Sequence, residues 1–152
     1  MNGTKITGAR EIRDALRKLP KELQRAAEKA VLRAGAQPIA KAAKARAPKD
    51  SGLLKKSIGL RVATVKGETS ARVGPRTGMK RQVTRKRPNG KTYTEMADPN
   101  NYSHLVELGS SRAPAKPFIR PAVDAAASDT LAAMATGYEK HLTKVVAKLR
   151  KR

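Results

Sequence analysis

A large excess of positive charge, combined with a shortage of large apolar side chains, constrains this chain most. Its 152 residues carry 34 Lys and Arg against 12 Asp and Glu, a net charge of +22 at pH 7. Leu, Ile, Val and Phe together supply only 27 residues, a composition that approaches that of disordered chains. Alanine supplies 25 residues, but alanine favours helix and buries little area. We therefore expect neighbouring molecules to supply part of the buried surface, as they do for a subunit of an assembly.

Length, cysteine content and hydropathy exclude several classes of protein. The length corresponds to one domain, predicted over residues 1–152. Because there is no cysteine, disulfides, thiolate metal sites and a Cys nucleophile are excluded. The longest run without a formal charge, residues 130–138, is far shorter than a membrane span. The first ten residues contain no apolar signal core. We expect a soluble intracellular protein with no membrane partner.

Helical periodicity covers the first third of the chain. It predicts a short helix over residues 9–19 and a long helix from Pro20 to about Ala47. Pro38 predicts a kink or a break in the long helix. The apolar stripe of this helix is dominated by alanine, which allows another helix or a sheet to approach closely. Basic residues occupy the opposite face: Arg25, Lys29, Arg33, Lys41 and Lys44.

A β-hairpin with one covered face is predicted after the long helix. Asp50 or Ser51 is placed to accept N–H bonds from a short turn at residues 52–56. Alternation then begins, and residues 66–68 form a tight turn before the returning strand. One face of the first strand carries Ile58, Leu60 and Val62, and the other carries Gly59, Arg61 and Ala63.

Residues 75–100 have a different composition and are predicted to form an inserted basic arm or loop. The segment is β-prone, with Asn89-Gly90 as the turn of a second hairpin. It contains almost no residues for a core, so we expect it to project from its own domain. Its basic residues, expected to contact a partner or DNA, are Lys80, Arg81, Arg85, Lys86, Arg87 and Lys91.

The last third contains a short element over residues 102–109 and a long final helix that begins at Pro121. The apolar residues of this helix are in phase from Val123 and Ala127 to Leu149, and residues 148–152 form a basic tail. The fold class is therefore α+β: a long kinked N-terminal helix and a long C-terminal helix packed on a small antiparallel sheet, with a basic β-hairpin arm.

The sequence offers no convincing catalytic or metal site. His104 and Glu107 are three residues apart, but two ligands without a third make a weak metal site. Ser51 has no candidate base near it in the sequence, which favours a capping role. Residues 74–80 lack the spacing and the ending of a phosphate-binding loop. We expect no enzymatic activity, no cofactor and no metal ion.

Nucleic acid is a candidate partner because of the charge. The basic arm and the C-terminal tail could each neutralise several phosphates. The chain has one Phe, three Tyr and no Trp, so it has few side chains that could stack on bases. We expect non-specific contact with the backbone of DNA and no base readout.

Two sequence blocks together resemble the tailed-bacteriophage neck and tail-completion (minor tail component) family. Residues 47–58, A-P-K-D-S-G-L-L-K-K-S-I, resemble the family block A-P-x-D-T-G-x-L-x-x-S-I. Residues 102–109, Y-S-H-L-V-E-L-G, followed by residues 114–122, P-A-K-P-F-I-R-P-A, are similar to Y-x-x-x-V-E-x-G-T and P-A-R-P-F-L-R-P-A. Ser51 and Ser110 replace threonines and keep a hydroxyl, whereas Lys116 replaces an arginine and removes its bidentate fork.

The resemblance implies a ring, with six-fold symmetry, at the phage head–tail junction. Its partners would be further copies of the chain, a head-side connector or stopper, and a tail terminator or tube protein, with viral DNA in the bore. The motif residues would be architectural: glycines for turns, prolines that fix the last helix, Phe118 as an anchor, and Glu107 as a partner of Arg120 or of an arginine in a neighbouring subunit. They are Pro48, Asp50, Ser51, Gly52, Tyr102, Glu107, Gly109, Pro117, Phe118, Arg120 and Pro121.

The alternative is a free basic protein that binds nucleic acid without sequence specificity. It would use the same charge but would not need the two motif blocks. The native mass in the absence of DNA discriminates, since a closed ring favours the neck protein and a monomer that shifts only with DNA favours the alternative.

Overall fold

The computed structural model describes residues 8–149, and within them the fold is α+β, as predicted. None of the helices in this part of the chain is long and apolar enough to cross a membrane. The last three residues of the predicted basic tail lie outside the described residues. In chain order the elements are α1 (Ala9–Arg17), α2 (Lys21–Arg46), α3 (Leu53–Ser57), β1 (Ile58–Val65), β2 (Glu68–Pro75), β3 (Arg81–Lys86), β4 (Thr92–Ala97), α4 (Pro99–Leu108), α5 (Arg120–Ala125) and α6 (Ala127–Leu149).

Helices α2 and α6 pack at close range because small residues line their contact. A Cβ atom added at Gly35 would lie 2.5 Å from Cγ of Met134, and one added at Gly137 would lie 2.6 Å from Cβ of Ala34. The alanine-dominated stripe of α2 thus allows the close approach of another helix, as the sequence predicted. At this end of the molecule the buried residues form one cluster: Ile12, Val31 and Tyr138.

Helix α2 runs through Pro38 to Arg46 without interruption, so the predicted alternative of a break is wrong. Proline removes one helical hydrogen bond and costs about 3 kcal/mol in a helix interior. Packing on both sides of Pro38 opposes that cost. Val31 lies in the cluster with α1 and α6, whereas Ala43 lies in the core beneath the sheet.

The first hairpin is an antiparallel pair, β1 with β2, joined by the two residues Lys66 and Gly67. Both have positive φ, +50° and +85°, which is the backbone of a type I′ turn and matches the twist of the strands. One face of this sheet packs against α2. On that face Thr69 donates a hydrogen bond to Glu28 of α2 at 3.0 Å.

Phe118 lies at the centre of the main core and is 0% exposed, which confirms its predicted burial. On α4, Val106 packs against this core, whereas Leu105 is 46% exposed. Ala43, Ala47 and Ala122 pack with Leu54 and Ile58 around the phenyl ring of Phe118. The buried members are Ala43, Ala47, Leu54, Ile58, Phe118 and Ala122.

The predicted final helix is divided into α5 and α6 at Ala126, where φ is −101° and ψ is 6°. The phase predicted from Val123 and Ala127 is wrong at its start, since Val123 is 43% exposed and Ala122 and Ala126 are buried. The small alanine side chains, rather than the branched one, fit against the core around Phe118. Further along, Met134 and Tyr138 pack in the α2–α6 cluster, as the predicted stripe requires.

The second hairpin, β3 with β4, forms a separate two-stranded sheet. It turns as predicted near Asn89-Gly90, but through a longer loop than a two-residue turn. Arg87 N–H donates to the Lys91 carbonyl, Gly90 N–H donates to the Arg87 carbonyl, and Gly90 has a φ of +80°. Pro88 occupies the position of this turn that its fixed φ favours.

Replacement of Phe118 by alanine is expected to destabilise the fold by about 3–5 kcal/mol, because it empties the centre of a core built mostly of small side chains. Denaturant unfolding of the purified chain measures this loss, and the yield of assembled particles should fall with it. The matched control is Val146→Ala, since Val146 on α6 is 46% exposed. A Phe118→Ala variant as stable as the control would contradict this account of the core.

Candidate functional site

The two sequence blocks and the second hairpin meet around one cleft of about 420 Å³. The first block contributes residues from the loop before α3, the second contributes residues of α4, and β3 and β4 close the remaining side. The cleft contains one arginine and three carboxylates. It is lined by Pro48, Asp50, Ser51, Gly52, Leu54, Arg85, Glu95, Met96, Ala97, Asp98, Asn101, Tyr102 and Val106.

Glu107, at the end of α4, caps the start of α5. Its Oε2 accepts hydrogen bonds from the backbone N–H groups of Phe118 at 2.7 Å and Ile119 at 2.9 Å, and its Oε1 accepts from that of Arg120 at 3.0 Å. A helix start leaves such N–H groups without helical partners. One carboxylate therefore fixes both the direction of α5 and the position of Phe118. The predicted partnership of Glu107 with Arg120 is made through the main chain of Arg120.

The pKa of Glu107 lies below its ordinary value of 4.5. Burial alone raises this pKa, but the three backbone N–H bonds and the charge of Arg120 lower it by more. The carboxylate is consequently held in its charged form, which is the form that accepts hydrogen bonds.

Gly109 and Gly52 are required by the backbone at the ends of the two helices that line the cleft. Gly109 follows α4 with a φ of +82°, and a Cβ atom there would lie 2.8 Å from the backbone nitrogen of Ala115. Gly52 precedes α3 with a φ of +71°. Both glycines therefore occupy turns, where the sequence placed them.

Asp50 and Ser51 have different positions beside α3. Ser51 Oγ lies 3.4 Å from the N–H of Leu53, a long contact at the predicted capping position. Asp50 does not cap the turn. Its Oδ2 lies 3.0 Å from Nη1 of Arg85 on β3.

Arg85 ties the second hairpin to the body of the protein. Besides the contact with Asp50, its Nε lies 2.6 Å from Oε1 of Glu95 on β4. The sequence predicts Arg85 to be among the residues that contact a partner or DNA. Its two carboxylate neighbours give it an internal role instead, which the sequence could not indicate because Asp50 is distant along the chain.

The hairpin also buries part of its own surface, contrary to the prediction that it has no apolar face to bury. Val83 and Ala97 are buried in a small cluster with Leu53 of α3, and Tyr102 packs against that cluster and against the main core. Burial raises the pKa of Tyr102; the charge of Arg85 lowers it, and the charges of Asp50 and Asp98 raise it. Tyr102 thus connects the hairpin to the core.

The other basic side chains of the hairpin segment are exposed. The guanidinium of Arg87 lies 5.1 Å from the centre of the Tyr93 ring, a cation–π distance. The exposed members of the set are Lys80, Arg81, Lys86, Arg87 and Lys91.

The remaining motif residues lie around the same elements. Pro48 and Pro121 are half-buried, and Pro121 opens α5. Pro117 and Arg120, which lie on either side of the buried Phe118 in the sequence, are exposed.

The structure brings together no group of three His, Asp or Glu side chains suited to a metal ion among the described residues. Of the weak pair considered from the sequence, His104 is exposed and the Glu107 carboxylate is occupied by backbone N–H groups. Nε2 of His141, on α6, is buried and has no hydrogen-bond partner within residues 8–149. The arrangement around the cleft is that of a structural junction between elements.

A comparison with protein-family models matches residues 10–109 to the family described as "Bacteriophage HK97-gp10, putative tail-component". The match covers well over half of the chain and includes the first sequence block, both hairpins and Glu107. No curated protein and no solved structure matches the chain.

Glu107→Gln is expected to destabilise the protein by about 1–2 kcal/mol at pH 7, since it weakens the cap of α5. The lowered pKa of Glu107 contributes stability above the ordinary value of 4.5, and this contribution is lost as the pH falls through the folded-state value below it. Denaturant unfolding at pH 7 and pH 3, with the exposed Glu139→Gln as control, measures both effects. A difference between variant and wild type that is equally large at both pH values would contradict the assignment.

Arg85→Gln is expected to loosen the second hairpin with little effect on global stability, because partly exposed ion pairs contribute less than about 1 kcal/mol. Amide hydrogen exchange over residues 81–97 should become faster than in wild type. Arg87→Gln removes the same charge from the same hairpin and should leave the exchange near the cleft unchanged. Equal exchange in the two variants would show that Arg85 does not hold the hairpin.

Proposed function

The chain belongs to the HK97-gp10-like family of bacteriophage tail components, and we propose that it forms a ring at the head–tail junction of the virion. Family membership makes it a structural tail protein of a phage particle. The proposal adds its place and its assembly: copies join into a six-fold ring that connects the head-side connector or stopper to the tail terminator or tube. Viral DNA passes through the bore, and assembly takes place in the host cytoplasm.

The convergence of the two sequence blocks on one junction is the observation that carries this proposal. The Glu107 cap and the buried Phe118 use the second block to fix α5 against α2. The Asp50–Arg85 pair uses the first block to fix the second hairpin. The blocks hold the shape of the subunit, which suits a building element of a particle better than a free DNA-binding protein.

Exposed apolar side chains support the association of copies. Helix α4 presents Leu105 and Leu108 outward, 46% and 62% exposed, and β4 presents Met96, 66% exposed. The loop over residues 110–117 beside α4 is exposed throughout. A chain with so few large apolar residues loses burial by leaving these in water, and a neighbouring subunit would cover them.

The exposed basic residues of the second hairpin are proposed to dock on the adjacent ring. Arg87 and Lys91 are the first and last residues of the loop at the tip of this hairpin. On the axial face of a ring they would meet acidic groups of the next protein, in contacts that salt weakens. The other destination, the bore, is less suitable because cations held tightly on DNA would slow its exit.

Replacement of Lys80, Arg81, Lys86, Arg87 and Lys91 by serine tests the docking role while leaving Arg85 and its ion pairs in place. Phage particles with this variant should contain separate heads and tails, because the contact between rings is lost. The control replaces Arg25, Lys29 and Arg33 of α2 and should leave heads and tails joined. Joined particles that leak DNA in the hairpin variant would instead favour the bore.

The native mass of the purified chain in the absence of DNA tests the ring itself. Where the free chain is monomeric, imaging of the assembled neck at subunit resolution decides, since a ring can form on docking. A chain that is absent from the neck, and whose mass changes only when DNA is added, would support the alternative of a free nucleic-acid-binding protein.

A further inference from the structure

Three arginines gather on the face of the first hairpin that points away from α2. Arg61 of β1 and Arg72 of β2 stand directly opposite each other in the strand register, and both are exposed. Next to them on the same face, Gly59 is opposite Gly74. Arg76 follows directly after β2. Together with Asn100 of α4, these residues line an open cavity of about 540 Å³.

The backbone around this cavity is built to bring Arg76 over the sheet. Its N–H donates to the carbonyl of Ser57 at 3.0 Å, which fixes the start of the loop. Its side chain lies against Gly59, where any Cβ atom would collide with Nε of Arg76. A larger residue at position 59 would therefore displace this guanidinium from its place beside the strand pair.

The arrangement is unfavourable for the free chain. Directly opposite residues of an antiparallel pair have Cβ atoms about 4.5–5.5 Å apart, and like charges at that distance are destabilising. None of the ion pairs identified among residues 8–149 involves Arg61, Arg72 or Arg76. An anion between the guanidiniums would remove the repulsion, and each planar fork could donate two hydrogen bonds to it.

We propose that Arg61, Arg72 and Arg76 form a phosphate-binding site that contacts the backbone of double-stranded DNA. Three adjacent guanidiniums suit a chain of phosphates better than a single carboxylate. Gly59 makes room for the Arg76 side chain beside the strand pair, and the space over Gly74 is open. Among the described residues, no aromatic side chain that could stack on a base lines the cavity. The contact therefore carries no sequence preference.

This site deepens the proposed function, and the choice of DNA as the polyanion rests on it. In a neck ring, these three phosphate contacts on each subunit would hold the DNA centred in the bore. The site differs from the second hairpin, whose exposed cations are assigned to the adjacent ring. Its binding to DNA can be measured on the purified chain, without a ring or a particle.

The test compares two triple variants with equal loss of charge. Arg61→Gln/Arg72→Gln/Arg76→Gln removes the site, and Arg25→Gln/Lys29→Gln/Arg33→Gln removes three exposed cations of α2. Fluorescence anisotropy measures the affinity of the full chain for a mixed-sequence DNA duplex at several salt concentrations. Each lost phosphate contact should reduce the slope of log K against log salt concentration by about 0.9, so the site variant should lose about 2.7.

For the α2 variant, the slope of log K against log salt concentration is expected to fall by less than about 1, because the variant removes charge without removing these phosphate contacts. Equal changes in the two variants would overturn the proposal and leave only the general attraction of a basic protein. A site variant that binds DNA as wild type does, but fails to assemble, would overturn it in favour of an acidic protein surface as the ligand.

A single substitution guards against a triple variant that does not fold. Arg72→Gln relieves the repulsion with Arg61, so its melting temperature in low salt without DNA should be at least that of wild type. For Arg72→Gln, the slope of log K against log salt concentration should fall by about 0.9. Lys29→Gln should show no comparable fall. Equal slopes for these two variants would overturn the proposal. If the site variant lost no more DNA affinity than the α2 variant while the wild-type chain still formed the neck, the phosphate-binding site would be disproved and the proposed ring would stand.

Discussion

Three backbone N–H groups at the start of α5 converge on the carboxylate of Glu107, and the arrangement of the core depends on this contact. The contact sets the path of the chain between α4 and α5, and Phe118 lies on that path. Because Phe118 is the only phenylalanine in the chain, no other residue of its kind could replace it as the centre of the core. The two sequence blocks meet at this point. The second block supplies both the Glu107 carboxylate and the phenyl ring of Phe118, and the first block supplies Leu54 and Ile58, which pack around that phenyl ring.

Close packing of small residues makes up for the shortage of large ones. The contact between α2 and α6 depends on glycine at positions 35 and 137, where added side chains would meet the opposite helix at 2.5–2.6 Å. Dense packing gains dispersion energy even when each side chain is small. Such an interior nevertheless buries little apolar surface, and large apolar residues such as Leu108 and Met96 remain outside it. This distribution is expected of a subunit that completes its burial by association.

Features governed by local sequence could be predicted, and features governed by contacts distant in the chain could not. The long helix and the first hairpin follow from periodicity and turn residues, and the family resemblance implies the role of Phe118 as an anchor. The division at Ala126 could not be foreseen, because Val123 is the more apolar residue and only the space around Phe118 selects Ala122 instead. The same limit applies to Arg85, whose partner Asp50 lies in another element. The Arg61–Arg72 juxtaposition required the register of the strands, which the sequence analysis did not assign.

Five of the twelve carboxylates of this protein make contacts that hold the fold. Glu107 caps α5, Asp98 caps α4, and Glu28 accepts a hydrogen bond from Thr69. Asp50 and Glu95 are both engaged by Arg85. The other seven carboxylates are too few to neutralise a chain that carries 34 Lys and Arg. Copies brought together in a ring would repel one another unless something else supplied negative charge. In the proposed neck ring, DNA in the bore and acidic groups of the adjacent ring would supply that charge, and the Arg61–Arg72–Arg76 face and the second hairpin would give the subunit a separate surface for each.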